Sequence, residues 1–287
     1  MQARRSFSRG VLLAVAGLGL MVVSGCETNP YTGRSQLLMT SVSEEMQLGA
    51  QAYSQVKNDP KLRQSQDLRE IEPVKRVAAR IIEAAKRSKY AEMAQQFQWE
   101  VIVIKDDKTM NAFALPGGKI AVYTGIFPVA RTEAGLAAVL GHEVVHALAR
   151  HGAERMSQGQ LTNAALQVAG AAVGSSGGGG MISQAAMAAL GAGAQVGVLL
   201  PFSRKHESEA DYIGILLAAD AGYDPRESVS LWERMEQLSQ GGGPSEFLST
   251  HPSHETTIDQ LKKWMPEAMG IYQSRQAVPA SALPALH

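Results

Sequence analysis

The stretch that decides the fold reads Leu140-Gly141-His142-Glu143-Val144-Val145-His146, a His-Glu-x-x-His motif inside a helical pattern. Residues four apart lie on one face of a helix, so His142 and His146 can bind a single metal ion, and this arrangement suits zinc. Glu143 follows the first imidazole and can act as general base on water at the metal. The neighbouring valines make this helix apolar, and two unpaired imidazoles would be costly to bury there. The motif therefore predicts a catalytic zinc site.

A catalytic zinc site needs a third protein ligand and keeps one position open for water. No third histidine follows His146 at metzincin spacing, but His206-Glu207-Ser208-Glu209-Ala210-Asp211 opens a later predicted helix. Glu207 and Asp211 are four residues apart and share a face of that helix. We therefore expect Glu207 to be the third ligand and Asp211 to accept a hydrogen bond from a ligand histidine. Glu209, two positions from each, should point elsewhere.

Together these motifs resemble a known family of zinc metallopeptidases. His142-Glu143-x-x-His146, followed some sixty residues later by Ser203-Arg204-x-x-Glu207-x-Glu209-Ala210-Asp211, is similar to the group that contains the CAAX prenyl protease, HtpX and the Oma-type quality-control proteases. The similarity extends to Asn111–Gly118 and to Thr250–Ser253. Within the group, the chain is most similar to the periplasmic, BepA-like and LoiP-like lipoprotein members.

The resemblance implies both the fold and the roles of the site residues. The implied fold is α+β and mainly helical, of the zincin-like (gluzincin) type, with a small β-sheet and an active-site helix. One Zn²⁺ per chain is implied, with His142, His146 and Glu207 as its ligands. Glu143 would be the catalytic base, and Asp211 would lie behind the first ligand. Peptide hydrolysis at such a site needs no covalent intermediate.

Two further sites follow from the resemblance. His251 matches a family histidine that approaches the zinc, where it would either take part in catalysis by stabilising the oxyanion or occupy the open position and keep the enzyme latent. The alternative is an ordinary surface residue of a loop. Asn111, Ala112 and Phe113 resemble the edge strand that binds substrate through main-chain pairing. A plain core strand is the alternative there, and both interpretations can hold at once.

Periodicity and turn signals predict the remaining elements. Helices are expected from Ser43 onward and over Leu68–Ser88, Thr132–Arg150, Arg204–Ala221, Pro225–Gln240 and His254–Trp264. Strands are expected over Phe97–Ile104, Asn111–Leu115 and Lys119–Thr124. The last two strands flank Pro116-Gly117-Gly118, which predicts a turn between them and hence a small sheet.

The start of the chain predicts export. Arginines precede an uncharged stretch, Gly10–Gly25, whose apolar core has the length of a signal-peptide core. Val23-Ser24-Gly25-Cys26 resembles the bacterial lipobox, in which the cysteine becomes the lipidated first residue. We therefore expect residues 1–25 to be a signal peptide and residues 26–42 to be a tether that begins at lipidated Cys26. The protein would be an outer-membrane lipoprotein that faces the periplasm of a Gram-negative bacterium; the alternative is a buried cysteine in an ordinary membrane anchor.

Composition and charge limit what the rest of the chain can be. Among 287 residues, 27 Lys and Arg balance 27 Asp and Glu, so no basic face for nucleic acid is indicated. A single peptidase domain is expected over residues 43–270, followed by a loose tail over residues 271–287. Residues 156–203 carry no charge and predict a helical hairpin around a Gly-rich loop at 174–180. Its small residues favour close packing within the chain, with membrane contact or a homo-oligomer as alternatives.

These features predict a zinc-dependent endopeptidase that degrades misfolded or unassembled proteins in the periplasm and at the outer membrane. The alternative is a non-proteolytic outer-membrane lipoprotein that binds unfolded or assembling envelope proteins and uses zinc as a structural staple. Glu143 favours the enzyme, because a structural zinc site needs no general base and fills its fourth position with protein. A membrane-active role for the uncharged hairpin would instead predict that the unlipidated chain binds liposomes.

Overall fold

Helices make up most of the structure. The computed structural model describes residues 26–161, 202–240, 246–251 and 256–286. Its helices are α1 (Val42–Asn58), α2 (Leu68–Arg87), α3 (Ala91–Gln96), α4 (Phe127–Ala130), α5 (Glu133–Leu148), α6 (151–161), α7 (Arg204–Asp220), α8 (Arg226–Gln240), α9 (Glu246–Thr250) and α10 (Thr257–Gln273). Its strands are β1 (Cys26–Thr28), β2 (Ser35–Leu37), β3 (Glu100–Ile104), β4 (Ala112–Leu115) and β5 (Lys119–Tyr123). The mainly helical α+β fold with a small sheet is confirmed.

Three strands form the sheet beside the His-Glu-x-x-His helix. Their order is β3-β5-β4, with β5 parallel to β3 and antiparallel to β4. Gly117 and Gly118 both have positive φ values, 82° and 81°, so the predicted turn between β4 and β5 requires glycine. Strand β4 pairs with β5 only, so its other edge is free of strand pairing among the described residues. Strand β4 also packs against α5.

The helix α5 is buried along nearly its whole length. Its first turn is capped by Thr132, whose hydroxyl accepts a hydrogen bond from the backbone N–H of Gly135 at 3.1 Å. The helix thus begins where the sequence predicts, and it ends at Leu148, two residues before the predicted boundary. Helix α2 and helix α7 pack against α5, and both lie where their periodicity placed them.

Helices α5 and α7 cross at two glycines. A Cβ on Gly141 would lie 2.7 Å from the carbonyl oxygen of Gly214, and a Cβ on Gly214 would lie 2.8 Å from the backbone nitrogen of His142. Neither distance is compatible with a real side chain, so the two backbones meet here because no side chain separates them. The crossing brings His142 on α5 next to Glu207 and Asp211 on α7.

Gly214→Ala is expected to force the two helices apart. The added methyl group would meet backbone atoms that cannot rotate away, and overpacking of this kind costs about 1–3 kcal/mol of stability. We expect a lower Tm for the metal-free chain and weaker zinc binding, because the ligands lie on the separated helices. Gly270→Ala on α10, where a Cβ would contact nothing within 4 Å, is the matched control; it should not lower Tm, because alanine favours the helix, and it should leave zinc binding unchanged. An unchanged Tm for Gly214→Ala would contradict the close crossing.

Residues 26–38 of the segment predicted as a tether are folded onto the domain, so that prediction is wrong for most of its length. Strands β1 and β2 pair as an antiparallel hairpin, with Cys26 opposite Leu37. The amide of Gln36 donates to the carbonyl of Ala149 at 2.8 Å, and Leu38 is buried in the core. The turn-forming residues Asn29-Pro30 and Thr32-Gly33 lie between the two strands, so they belong to a hairpin rather than to a flexible linker.

The prediction of a loose C-terminal tail over residues 271–287 is also wrong. Helix α10 continues to Gln273 through Pro266, past the predicted end at Trp264. Beyond it, backbone N–H groups of Val278 and Leu283 donate to the carbonyls of Gly222 and Arg131, at 2.8 and 2.9 Å. Main-chain hydrogen bonds of this kind produce no periodic pattern of apolar residues, and a Pro/Ala-rich composition is also typical of loose tails, so the sequence does not indicate them.

Some predictions fall on residues that are not described. Residues 1–25, the predicted signal peptide, lie outside the described part, as does most of the predicted hairpin over residues 156–203, of which only 156–161 and 202–203 are described. The start of the last predicted helix at His254 also lies outside it. Among the helices that are described, none combines the length and the hydropathy needed to cross a membrane.

Candidate active site

Four buried side chains bring their donor atoms together at the crossing of α5 and α7. His142, His146, Glu207 and His251 form this donor cluster, and their ligand atoms all lie within 4.8 Å of one another. Nε2 of His142 is 3.1 Å from Nε2 of His146, and the two nitrogens lie 3.6 and 3.5 Å from the Glu207 carboxylate oxygens. The structure thus brings together the three residues that the sequence predicts as ligands.

The spacing of the donor cluster fits a tetrahedral zinc ion. Zinc bonds of about 2.0–2.1 Å in a tetrahedron place neighbouring ligand atoms roughly 3.3 Å apart. The separations within the cluster are of this size, and Nδ1 of His251 completes the set at 3.3 Å from both His142 Nε2 and Glu207 Oε1. Two imidazoles, a carboxylate and a fourth nitrogen are ligands that zinc accepts. The residues present therefore fit the metal.

Asp211 fixes the orientation of the first imidazole. Its Oδ1 lies 2.9 Å from Nδ1 of His142, and a carboxylate can only accept, so Nδ1 carries a proton. When the ring binds a metal it is neutral, and this is its single proton. The lone pair is then on Nε2, which points into the donor cluster. The predicted role of Asp211 behind the first ligand matches this geometry.

The second imidazole is oriented by a residue that the sequence analysis did not identify. Nδ1 of His146 lies 3.0 Å from Nδ1 of His151, whose Nε2 lies 3.1 Å from Oε2 of Glu209. Burial lowers the pKa of His151 to about 4, so this ring is neutral and has a single N–H, which Glu209 accepts. The acceptor nitrogen of His151 then faces His146, which must donate from Nδ1. Both ligand histidines thus direct a lone pair from Nε2 at one point, as a bound cation requires.

Glu209 points away from the donor cluster, as expected, and it is hydrogen-bonded to His151 behind the cluster. Burial by itself would raise the pKa of its carboxyl, whereas hydrogen bonds with His151, Arg34 and Thr32 lower it to about 2. Glu209 is therefore an ionised acceptor behind His151. The helical angle correctly excluded Glu209 as a ligand, but nothing local to its position shows what lies on the other side of α7.

Glu143 lies beside the donor cluster and is not part of it. Its side chain is only 2% exposed, and it accepts a hydrogen bond from the backbone N–H of Ala114 on β4. Burial raises the pKa of this carboxyl, although His251 and His142 oppose the shift. Oε1 of Glu143 lies 3.4 Å from Nε2 of His251. A carboxylate of raised pKa at this position suits proton transfer to and from a group held at the cluster.

The predicted substrate strand lies next to Glu143. Asn111 precedes β4, and its carbonyl accepts from the backbone N–H of Tyr123, which fixes the register of the strand. Because pairing alternates along an antiparallel strand, Ala112 and Ala114 direct their backbone groups away from β5, while Phe113 faces it. The N–H of Ala112 is bonded to the Asn111 side chain at 2.9 Å. The strand is at once a buried core strand and the edge of the sheet, as both sequence interpretations allowed.

The family of the chain follows from comparison with known proteins. The model of peptidase family M48 matches residues 71–265, more than half of the chain and all of the sequence between α2 and α10. This chain belongs to peptidase family M48. The matched segment contains every member of the donor cluster together with Glu143 and Asp211, so the resemblance inferred from the motifs is confirmed.

Several relatives match most of the length of this M48 peptidase. The mitochondrial metalloendopeptidase OMA1 of Schizosaccharomyces pombe is 37% identical over 259 residues, which cover 88% of this chain and 71% of the relative. The mitochondrial metalloendopeptidase OMA1 of Homo sapiens is 31% identical, over 94% of this chain and 52% of the relative. The beta-barrel assembly-enhancing protease of Escherichia coli K12 is 31% identical, over 81% of this chain and 46% of the relative. The M48 peptidase described here is a zinc-dependent metalloendopeptidase.

Proposed function

We propose that this M48 peptidase cleaves extended segments of misfolded or unassembled proteins in the bacterial cell envelope. The observation that carries the proposal is the position of β4, whose unpaired edge runs past Glu143 at the donor cluster. An extended peptide added to such an edge is held through its backbone, which makes few demands on sequence but requires the segment to be unfolded. Of the predicted residues Asn111, Ala112 and Phe113, Ala112 is the one whose backbone points away from β5, so the binding edge would run through Ala112 and Ala114.

In the proposed mechanism, His142, His146 and Glu207 hold the zinc ion and Glu143 moves the proton. Zinc, when bound, supplies the Lewis acidity that activates water and polarises the scissile carbonyl. Glu143 accepts a proton from the attacking water and returns it to the leaving amine, for which its buried carboxyl of raised pKa is suited. Asp211 keeps the proton of His142 on Nδ1 throughout, so that Nε2 stays available as a ligand.

His251 would take the fourth position around a bound zinc ion, which a catalytic site keeps for water. Its Nδ1 lies within 3.3 Å of both His142 and Glu207, and its Nε2 lies 3.4 Å from the carboxylate of Glu143. The side chain is only 3% exposed and stacks on Phe202, with ring centroids 5.4 Å apart. Of the two roles considered for His251, this geometry favours the latch, in which the described conformation is the latent one.

His251→Ala is therefore expected to raise turnover of a peptide substrate. A closed state favoured by only about 1.4 kcal/mol already lowers activity tenfold, so we expect a gain of at least about that size. Zinc affinity should fall at the same time, because a fourth donor is lost. The measurement is kcat together with zinc affinity by chelator competition. A fall in kcat would instead assign His251 to oxyanion stabilisation, and no change in either quantity would remove it from the site.

The proposed location rests on the start of the sequence. The lipobox-like Val23-Ser24-Gly25-Cys26 supports a lipoprotein of the outer membrane that faces the periplasm. Among the relatives, the beta-barrel assembly-enhancing protease of Escherichia coli bears a name that agrees with work on assembling envelope proteins, whereas the OMA1 relatives are named as mitochondrial. Cys26→Ser should abolish incorporation of labelled palmitate and release the protein from the membrane fraction. Unchanged labelling would contradict the anchor.

The substrate proposal is tested with one protein in two states. An outer-membrane β-barrel protein in its unfolded form and the same protein folded in detergent are each incubated with the zinc-loaded mature chain, and the fragments are counted. We expect cleavage of the unfolded form only. Equal cleavage of both forms would contradict selection through an extended backbone. Binding of the unfolded form without cleavage would favour the non-proteolytic alternative.

A further inference from the structure

Arg34, in the turn of the N-terminal hairpin, joins two buried carboxylates behind the zinc site. Its Nε and one terminal nitrogen donate to the two oxygens of Glu209 at 2.9 and 2.8 Å. The guanidinium also donates to both oxygens of Glu154 on α6, at 2.7 and 2.8 Å. Arg34 is 19% exposed, and each carboxylate is 5% exposed. Thr32 from the same turn donates to Glu209 at 2.5 Å.

Each of these carboxylates is hydrogen-bonded to a buried histidine that is not part of the donor cluster. Glu209 accepts from His151, which faces the ligand His146, and Glu154 lies 3.0 Å from Nε2 of His206. The rings of His151 and His206 are stacked, with centroids 4.5 Å apart. A continuous chain of contacts therefore runs from Arg34 through Glu209 and His151 to His146, on the side away from Asp211.

We propose that Arg34 is a positioning residue for the zinc site and that the N-terminal hairpin, by supplying it, is an integral part of that site. The proposal rests on the assignment of His146 as a zinc ligand. Neither the hairpin nor Arg34 falls within the segment matched by the family model, which begins at residue 71. The hairpin thus contributes to the metal centre from outside the matched domain.

The physical reason is control of the His146 tautomer. With Glu209 held by the bidentate Arg34 contact, its oxygen is fixed where His151 must donate to it from Nε2. Without the guanidinium, Glu154 and Glu209 face each other as two buried carboxylates with no cation between them, which is costly and displaces at least one of them. His151 can then carry its proton on Nδ1 instead, and His146 must present an N–H rather than a lone pair at the metal position.

Ligand histidines depend strongly on such partners. Loss of the group that orients a metal-bound imidazole typically costs 10- to 100-fold in metal affinity. Arg34 acts through two intermediate residues, so we expect Arg34→Met to weaken zinc binding by about tenfold. Arg34→Lys keeps the charge but loses the bidentate contact, so its zinc affinity should lie between those of Arg34→Met and the wild type. His151→Ala removes the direct partner of His146 and should cost about 10- to 100-fold.

The test measures zinc affinity of the full mature chain by chelator competition, with Tm of the metal-free chain recorded for each variant. Arg76→Met is the matched control, because Arg76 makes a similar bidentate contact with the buried Glu133 at the other end of α5 and reaches no ligand. The control should lower Tm and leave zinc affinity unchanged. Arg34→Met should lower both.

The decisive comparison is a double-mutant cycle. If Arg34 acts through His151, adding Arg34→Met to His151→Ala should not weaken zinc binding further. Additive losses, or an Arg34→Met chain that binds zinc as the wild type does, would overturn the proposal and leave Arg34 a structural residue. The measurement is zinc affinity and does not depend on peptide cleavage. A wild-type chain that binds zinc but cleaves nothing would therefore refute the proposed function, and the zinc affinities of the variants would still decide whether Arg34 positions the site.

Discussion

Glu143→Gln is expected to abolish peptide hydrolysis while one zinc ion stays bound per chain. The carboxylate lies outside the donor cluster, so its loss removes no ligand, and glutamine keeps the shape and can still accept from the N–H of Ala114. What is lost is the group that accepts and returns the proton. General acid–base groups contribute about 10²- to 10⁴-fold, and since Glu143 serves in both steps we expect the upper part of that range in kcat.

A matched substitution on the same helix controls for this result. Glu133 is also buried on α5 and bonded to another part of the chain through Arg76, but it lies at the far end of the helix from the donor cluster. Glu133→Gln should therefore leave kcat within about twofold of the wild type. The measurements are kcat on a quenched peptide and metal content after gel filtration. Substantial turnover by Glu143→Gln would refute its assignment as the base.

Glu207→Gln is expected to lose zinc, and with it all activity. Glu207 supplies the negatively charged ligand of the donor cluster, whereas the other three members are imidazoles. A neutral amide in its place binds zinc far more weakly. Loss of a partner that only orients a ligand lowers zinc affinity by about 10- to 100-fold, and the loss of Glu207 itself should lower it by more than this. The side chain is only 3% exposed, and solvent cannot readily replace it.

Glu209→Gln separates the role of a ligand from that of an orienting residue. Both glutamates are buried on α7, two positions apart, and both would become glutamine. Glu209→Gln should weaken zinc binding only within the 10- to 100-fold range, and it should retain activity at saturating zinc. Chelator competition on the two variants side by side is the measurement. If Glu207→Gln held zinc as tightly as Glu209→Gln, the third ligand would have to be sought elsewhere.

The sequence was informative wherever structure and chemistry are local. The periodicity of α2 and α5, the turn at Gly117 and Gly118, and the four-residue spacings within α5 and α7 all depend on residues close together in the chain. The ligand set could be predicted because a helix fixes the angle between residues four apart. The edge position of β4 was predicted from family resemblance. That β4 lies next to Glu143 could be seen only in the folded structure.

The parts that were missed depend on contacts between distant residues. Arg34 is 175 residues from Glu209 and 120 from Glu154, and an arginine after a turn has no local sign of such partners. The helix crossing at Gly141 and Gly214 is likewise invisible, because a glycine within a helical pattern has several possible reasons. The C-terminal segment packs through its main chain, which the side-chain pattern does not report.

The most direct test of the central claim is digestion of an unfolded protein by purified residues 27–287 in three metal states. The chain is assayed loaded with zinc, stripped by a chelator, and reloaded, with Glu143→Gln run beside each state. We predict cleavage by the loaded and reloaded wild type only. Stoichiometric zinc without cleavage, in the wild type and also in His251→Ala, would contradict the account and favour a zinc-stabilised binding protein.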